Sequence, residues 1–251
     1  MGKNVIILTS GLSGSSVLTS LIVRAGFWPG DDTHKKQEYD TYENSELVQL
    51  NQELLAEAGL GPEHQTKEFS PGAIEKIRSL YGKFDTHPYV QFLKKCEDRR
   101  PWIWKDPRLW LTIRFWKNLL DLDDCRFILL TRDHAQSWIS TTLKRQIITY
   151  KSFKNYEGCI QQSAMDFCEE IKAPYLHARY EDLIFYPART IDQLNSHLET
   201  TLTLDDLKKV YHKPLYKSPR TSFDLVKAVL IYLKNYSSRA ELVAAPLVRR
   251  T

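Results

Sequence analysis

No stretch of the 251-residue chain holds the roughly 20 consecutive apolar residues that a membrane-spanning helix needs. The N-terminus also lacks a charged leader followed by a long apolar region, so the chain is expected to be soluble, unprocessed and cytoplasmic. Cysteine is scarce. Cys96, Cys125, Cys159 and Cys168 stand in no paired ligand spacing, which argues against zinc and disulfides and for reduced thiols. A large excess of one charge is missing too. Against 35 Lys and Arg stand 31 Asp and Glu, a net charge of +4; this fits an acidic ligand or local basic clusters and does not mark a nucleic-acid binder. Internal repeats and low-complexity tracts are absent.

With 42% apolar and 26% charged residues and no shift of composition along its length, the chain can bury one sizeable core, and residues 1–251 are expected to form a single domain. The most informative stretch runs from Asn4 to Leu18. An apolar β-branched run, a loop of small residues and an amphipathic continuation read as strand, turn and helix start. Gly11 and Gly14 allow a tight turn and close approach of a ligand, the helix start offers free N–H groups, and Ser13, Ser15 and Ser16 add hydroxyls. Read alone, the stretch fits an anion cradle and an ordinary strand-to-helix turn equally well. A nucleoside-triphosphatase loop would require Lys followed by Ser or Thr after its last glycine, whereas Gly14 is followed by Ser15 and Ser16. That missing lysine argues against ATP or GTP hydrolysis and for a nucleotide of smaller terminal charge.

Further along, Gly26 to Lys36 is rich in turn formers and is expected on the surface beside the loop, lining a substrate entrance. Helices are expected over Glu43 to Ala58, from Ser70-Pro71, over Pro88 to Glu97, and from Leu109 through Leu119. Pro101 to Trp104, Cys125 to Thr131 and Tyr175 to Tyr180 read as strands. Between and after them fall helices from His134 to about Ile148, from Phe153 to Lys172, and after Pro187. Strands separated by helices and never by tight hairpins imply a parallel sheet covered on both faces, a three-layer α/β, P-loop-like fold. Ligands in such sheets bind beyond the carboxyl ends of the strands, so Ser10, Trp104, Thr131 and Tyr180 are expected to converge on one crevice. Trp104, Trp110 and Trp138 suit either stacking on a base or burial in the core.

Four of these segments, in order, resemble the sulfotransferase family, in particular its small bacterial members, over about residues 4–198. They are Ser10 to Ser16, Lys105-Asp106-Pro107-Arg108, Arg132-Asp133 through Ser140, and Arg179-Tyr180-Glu181-Asp182-Leu183 with Pro187. The resemblance implies 3′-phosphoadenosine 5′-phosphosulfate (PAPS) as donor, 3′-phosphoadenosine 5′-phosphate (PAP) as product, and no metal. It maps Gly11, Leu12, Ser13, Gly14, Ser15 and Ser16 onto the 5′-phosphate loop and Arg132 with Ser140 onto the 3′-phosphate grip. A guanidinium fork suits phosphate, and a serine eight positions on lies on nearly the same helix face. Tyr180 falls near the adenine, while Lys217 and Arg220 match a basic loop that closes over the 3′ phosphate. Where the family commonly has Lys or Arg before the loop's Ser-Gly, this chain has Leu12, and Lys105 is the expected replacement. His134 stands where proline is usual.

The reaction implied is in-line attack by an acceptor hydroxyl or amine, with Glu43 as the leading candidate base, Asp106 next and His34 after it. Trp28, Asp31, Asp32, His34, Tyr39 and Tyr42 form the expected entrance for a carbohydrate or other small-molecule acceptor. Two rivals stay open: a nucleotide or nucleoside kinase, and a catalytically impaired PAP-binding protein on the same fold.

Overall fold

A computed structural model of the chain describes residues 2–11, 13–36, 39–61, 68–83, 85–210, 219–239 and 243–244. In chain order the strands are β1 (Asn4–Leu8), β2 (Thr33–Lys35), β3 (Asp40–Asn44), β4 (Glu68–Phe69), β5 (Ile103–Lys105), β6 (Cys125–Thr131), β7 (Tyr175–Arg179) and β8 (Val243–Ala244). The helices are α1 (Ser15–Val23), α2 (Ser45–Glu57), α3 (Pro71–Arg78), α4 (His87–Glu97), α5 (Leu109–Trp116), α6 (His134–Leu143), α7 (Tyr150–Glu170), α8 (Asp182–Phe185), α9 (Pro187–Leu198), α10 (Leu204–Val210) and α11 (Ser222–Lys234).

A four-stranded, wholly parallel sheet in the order β5-β1-β6-β7 forms the centre. Every residue of β1 is buried, because helices cover both faces of a parallel sheet and leave no strand position facing water. The pleat divides the side chains between two cores. Ile6, Leu8, Phe127 and Leu129 pack with α2, α5 and α7 on one face. Val5, Ile7, Ile128 and Leu130 pack with α1 and α9 on the other. Both faces are dry, so the sheet's carboxyl edge, where the connections leave, is the place for chemistry. Among the described residues, no helix is long and apolar enough to cross a membrane, and all four cysteines are free thiols.

Two expectations need correction. The chain does contain a hairpin, β2 with β3, paired antiparallel with Thr33 opposite Asn44 and Lys35 opposite Asp40. Its strands are short and polar, and side chains hold them: Asp40 accepts from Thr33 Oγ1 at 2.6 Å and from the Tyr42 N–H at 2.7 Å, and Thr41 Oγ1 donates to the His34 carbonyl at 2.7 Å. No apolar alternation marks such a pair. In consequence Glu43 is a strand residue, and α2 starts at Ser45 behind the N-cap Asn44, whose side chain accepts from the N–H groups of Glu46 and Leu47. The second correction concerns α6, which ends at Leu143 instead of continuing to Ile148, with Arg145 at a positive φ of 62° just beyond.

Candidate active site

β1 delivers Thr9 and Ser10 to the sheet's edge, both buried. The Thr9 hydroxyl lies 3.0 Å from the Leu130 carbonyl and 2.5 Å from the Ser13 hydroxyl, so Ser13 is turned inward as a brace of the loop and does not line the cavity. Gly14 is the N-cap of α1, in the left-handed region at φ 82°, and no side chain caps the helix there. Gly14, Ser15 and Ser16, at this uncapped start of α1, line a cavity at the sheet's edge. A Cβ on Gly14 would stand 2.1 Å from Tyr180 Cδ2, so this position needs glycine both for its φ and for the ring against it. Arg132 lies over the same ring, its guanidinium carbon 5.1 Å from the centroid. Tyr180 thus joins the end of β1 to the end of β6.

Arg132 follows β6 directly. Its side chain is 4% exposed and its Nε lies 3.8 Å from Glu181 Oε1. Burial lowers its pKa, with the neighbouring Tyr180 and Glu181 opposing, and an arriving anion would act in the same sense as those neighbours. One turn into α6, Gln136 Oε1 accepts from the Arg220 N–H at 2.5 Å, and Ser140 Oγ accepts from Arg220 Nε at 3.1 Å. The eight-residue stride from Arg132 to Ser140 continues four residues on to Lys144, which also lines the cavity.

Lys105, the last residue of β5, points its ammonium to the same place. Nζ donates to Glu43 Oε1 at 2.5 Å and to the Thr41 carbonyl at 3.0 Å. The Lys105 side chain is 3% exposed and that of Glu43 20%. Burial lowers the lysine's pKa, and the Glu43 carboxylate opposes that shift. Two candidates proposed separately for catalysis thus form one ion pair in the cavity wall.

Asp106 lies elsewhere. It is fully buried and absent from the cavity wall. Its Oδ2 accepts from Asn51 Nδ2 at 2.8 Å, and its Oδ1 accepts from the Arg108 N–H at 3.0 Å and from Arg108 Nη1 at 2.9 Å. Asn51 Oδ1 in turn accepts from Trp116 Nε1 at 2.8 Å. Both carboxylate oxygens accept hydrogen bonds that fix the turn after β5, and the group is buried away from the cavity. Trp104 and Trp110 also belong to the core, stacked on Trp102 and Phe69 respectively, and Trp138 donates to the Ile148 carbonyl at 2.8 Å. Of the expected entrance, Tyr39 lines the cavity together with Lys36, whereas Trp28, Asp31, Asp32, His34 and Tyr42 do not. Leu12 and Lys217 lie outside the described residues.

One buried group carries no assignment from the sequence. Glu157, on α7, is 3% exposed, takes a hydrogen bond from Ser10 and faces the charge of Arg132. Burial pushes its carboxyl up to about 7, and those two neighbours only partly offset this. The available signal was its place on the apolar stripe of α7, four residues after Phe153 and three before Ile160, both buried.

No protein-family model matches the sequence, and no curated protein matches it. Among solved structures, the sulfotransferase domain from the curacin biosynthetic pathway is similar with a TM-score of 0.53 at 15% identity, over 99% of this chain and 94% of that one. The sulfotransferase domain of the Synechococcus PCC 7002 olefin synthase has 18% identity over 96% of this chain and 89% of its own, with a TM-score of 0.47. Sulfotransferase STF9 from Mycobacterium avium has 13% identity over 98% and 79%, with a TM-score of 0.45. The curacin-pathway domain settles the architecture: this chain has the sulfotransferase fold, a parallel sheet between two helical layers.

Proposed function

We propose that the chain is a sulfotransferase that moves a sulfuryl group from PAPS to a hydroxyl or amine of a carbohydrate or small-molecule acceptor. The reading rests above all on one juxtaposition: the stack of Gly14, Tyr180 and Arg132 shares a cavity with the Lys105–Glu43 ion pair. The donor set suits PAPS. Gly14 lets the chain turn in the left-handed region directly before α1, and the uncapped start of that helix with Ser15 and Ser16 suits the 5′ phosphate. Arg132, Ser140 and Arg220 suit the 3′ phosphate, with Lys217 as a further candidate.

When bound, PAPS supplies an activated sulfuryl group next to its 5′ phosphate. Lys105 takes the part of the basic residue for which Leu12 is substituted, holding charge that develops on the departing side. Glu43 receives the acceptor's proton. As it does so its grip on Lys105 weakens, and the ammonium becomes available when negative charge grows beside it. Positioning and charge stabilisation carry such a transfer, as they do in phosphoryl transfer.

Thermal denaturation with PAP at about 100-fold excess over its Kd should show stabilisation of roughly 3 kcal/mol, and Arg132→Ala should reduce it. PAP that neither shifts melting nor gives heat in calorimetry would sink the cofactor assignment. A second reading, a PAP-binding protein without transfer, draws support from Lys105 being engaged twice, by Glu43 and by the Thr41 carbonyl. It calls for PAP binding but no transfer of sulfate-35 from labelled PAPS to any acceptor in a cell extract.

A further inference from the structure

The cavity holds more positive charge than the proposed donor uses. Among the described residues, four cations line it, Lys36, Lys105, Arg132 and Lys144, against the single carboxylate of Glu43. The strand order β5-β1-β6-β7 sets these groups out in a row. Arg132, with Ser140 and Lys144 on the helix that follows, lies past the end of β6, the start of α1 past β1, and Lys105 past β5. In the proposed function those three places serve the 3′ phosphate, the 5′ phosphate and the departing side of the sulfuryl group. Lys36 is left over. It comes from the β2–β3 hairpin, whose Thr41 carbonyl and Glu43 carboxylate both accept from Lys105 Nζ, and so it stands on the β5 side of the cavity with the proposed base.

Tyr39 fixes Lys36 in two ways. The Lys36 N–H donates to the Tyr39 carbonyl at 2.8 Å, and the Lys36 carbonyl accepts from the Tyr39 N–H at 3.3 Å. The ammonium also lies over the Tyr39 ring, 5.6 Å from its centroid, and that ring packs against the core formed with α1 and α9. Among the described residues Lys36 forms no ion pair. Burial is the main cause of the lowered Lys105 pKa, and the charge of Lys36 adds to it. Two ammonium groups that repel each other across a cavity make a site for an anion, since a negative group near both turns the repulsion into attraction.

On the reading that PAPS is the donor, we propose that Lys36, steadied by Tyr39, binds an anionic group of the acceptor, so that the protein sulfates molecules carrying a carboxylate or phosphate beside the reacting hydroxyl or amine. The acceptor has to reach Glu43 to lose its proton, and this brings the rest of it under the hairpin. A neutral acceptor leaves the Lys36 charge unmatched as water is driven from the cavity. An anionic one matches it, and adds a charge-assisted contact that fixes which hydroxyl faces the donor.

Ligand-observed NMR titrations of the full chain with PAP bound test this with two matched pairs, galacturonate against galactose and 4-hydroxyphenylacetate against its amide. At about 20 mM salt, at least one anionic member should bind at least about tenfold tighter than its neutral twin, as expected of a contact between charged groups. Lys36→Met should cut that preference to within about threefold, whereas Lys36→Arg, which keeps the charge, should retain most of it. Raising salt to about 0.3 M should shrink it in the wild type. Lys36 is exposed, and an unchanged melting temperature verifies that each variant is folded. Calorimetry with PAP separates the two levels of the argument: Lys36→Met should change PAP affinity by less than about threefold, an effect below that of losing a charged contact. Failure of PAP to bind the wild type removes the donor reading and this proposal with it. Where PAP binds, three results overturn the proposal and leave the donor reading standing: no preference in either pair, a preference that Lys36→Met leaves intact, or a loss of PAP affinity in Lys36→Met as large as its loss of anion affinity.

Discussion

Gly14→Ala tests the stack that links the two halves of the proposed nucleotide grip. Two costs add at this position. A non-glycine residue in the left-handed region costs about 1–2 kcal/mol, and Gly14 has φ 82°. The new methyl would also meet the Tyr180 ring at 2.1 Å. That ring is 2% exposed, so it has no open solvent to swing into, and overpacking of this kind costs about 1–3 kcal/mol. The sum is about 2–5 kcal/mol, which at ~2–4 °C per kcal/mol for a chain of this size lowers melting by roughly 4–20 °C. Thermal denaturation reads the first effect and PAP titration the second, since a displaced ring disturbs Arg132. Tyr180→Ala alone removes a buried aromatic ring and should cost about 3–5 kcal/mol. In Gly14→Ala/Tyr180→Ala the clash is gone while the backbone strain persists, so the double variant should be less destabilised than the sum by about 1–3 kcal/mol. The reasoning fails if Gly14→Ala melts within about 2 °C of wild type, or if the two costs add to within ~0.5 kcal/mol.

Lys105→Met should cut sulfate transfer by about 10²–10³, the effect of deleting one preorganised donor of transition-state charge, while PAP still raises the melting temperature; transfer within threefold of wild type would remove Lys105 from the chemistry. Asp106→Asn sets an amide donor against Asn51 or Arg108 and leaves a buried cation poorly matched, so melting should fall by an amount equivalent to about 3–5 kcal/mol. Normal melting with lost transfer would instead return Asp106 to the list of bases. For Glu157, folding raises the carboxyl pKa from 4.5 to about 7. The folded state then binds a proton that the unfolded state has released, so this residue's contribution is fully present below pH 4.5 and is lost as pH rises through about 7. The full span is on the order of 3 kcal/mol. Glu157→Gln should therefore flatten the decline in stability between pH 5 and 8, and equal slopes in the two proteins in urea titrations would show that Glu157 does not titrate there.

What was legible in the sequence follows from how each part of the site is encoded. Strand-terminal residues could be read because their elements announce themselves: Val5 to Leu8 and Phe127 to Leu130 are continuously apolar, and a parallel sheet brings the ends of such strands together whatever the loops do. The Arg132 to Ser140 stride was readable for the same reason, as helical period maps position onto direction. The Lys105–Glu43 pair was not readable as a pair, because Glu43 reaches the lysine through a hairpin built on Asp40 and Thr41 side-chain bonds, which leaves no trace in hydrophobic periodicity. Asp106 shows the converse: proximity in sequence to a strand end says where the backbone goes, whereas Arg108, two residues on, and Asn51, from α2, decide which way its carboxylate faces. Those two cases share a physical cause. Backbone placement in this fold is dictated by apolar burial and is local in sequence, while the direction of a buried charge is set by whichever polar group satisfies it, near or far along the chain. The Lys105 ammonium, the charge on which the proposed function leans most, is accordingly held by residues that no motif containing Lys105 includes. Glu43 is therefore the partner to vary alongside it: if Glu43→Gln and Lys105→Met each abolish transfer and the double variant is no worse, the two act as one unit, and multiplicative losses would show that they act separately.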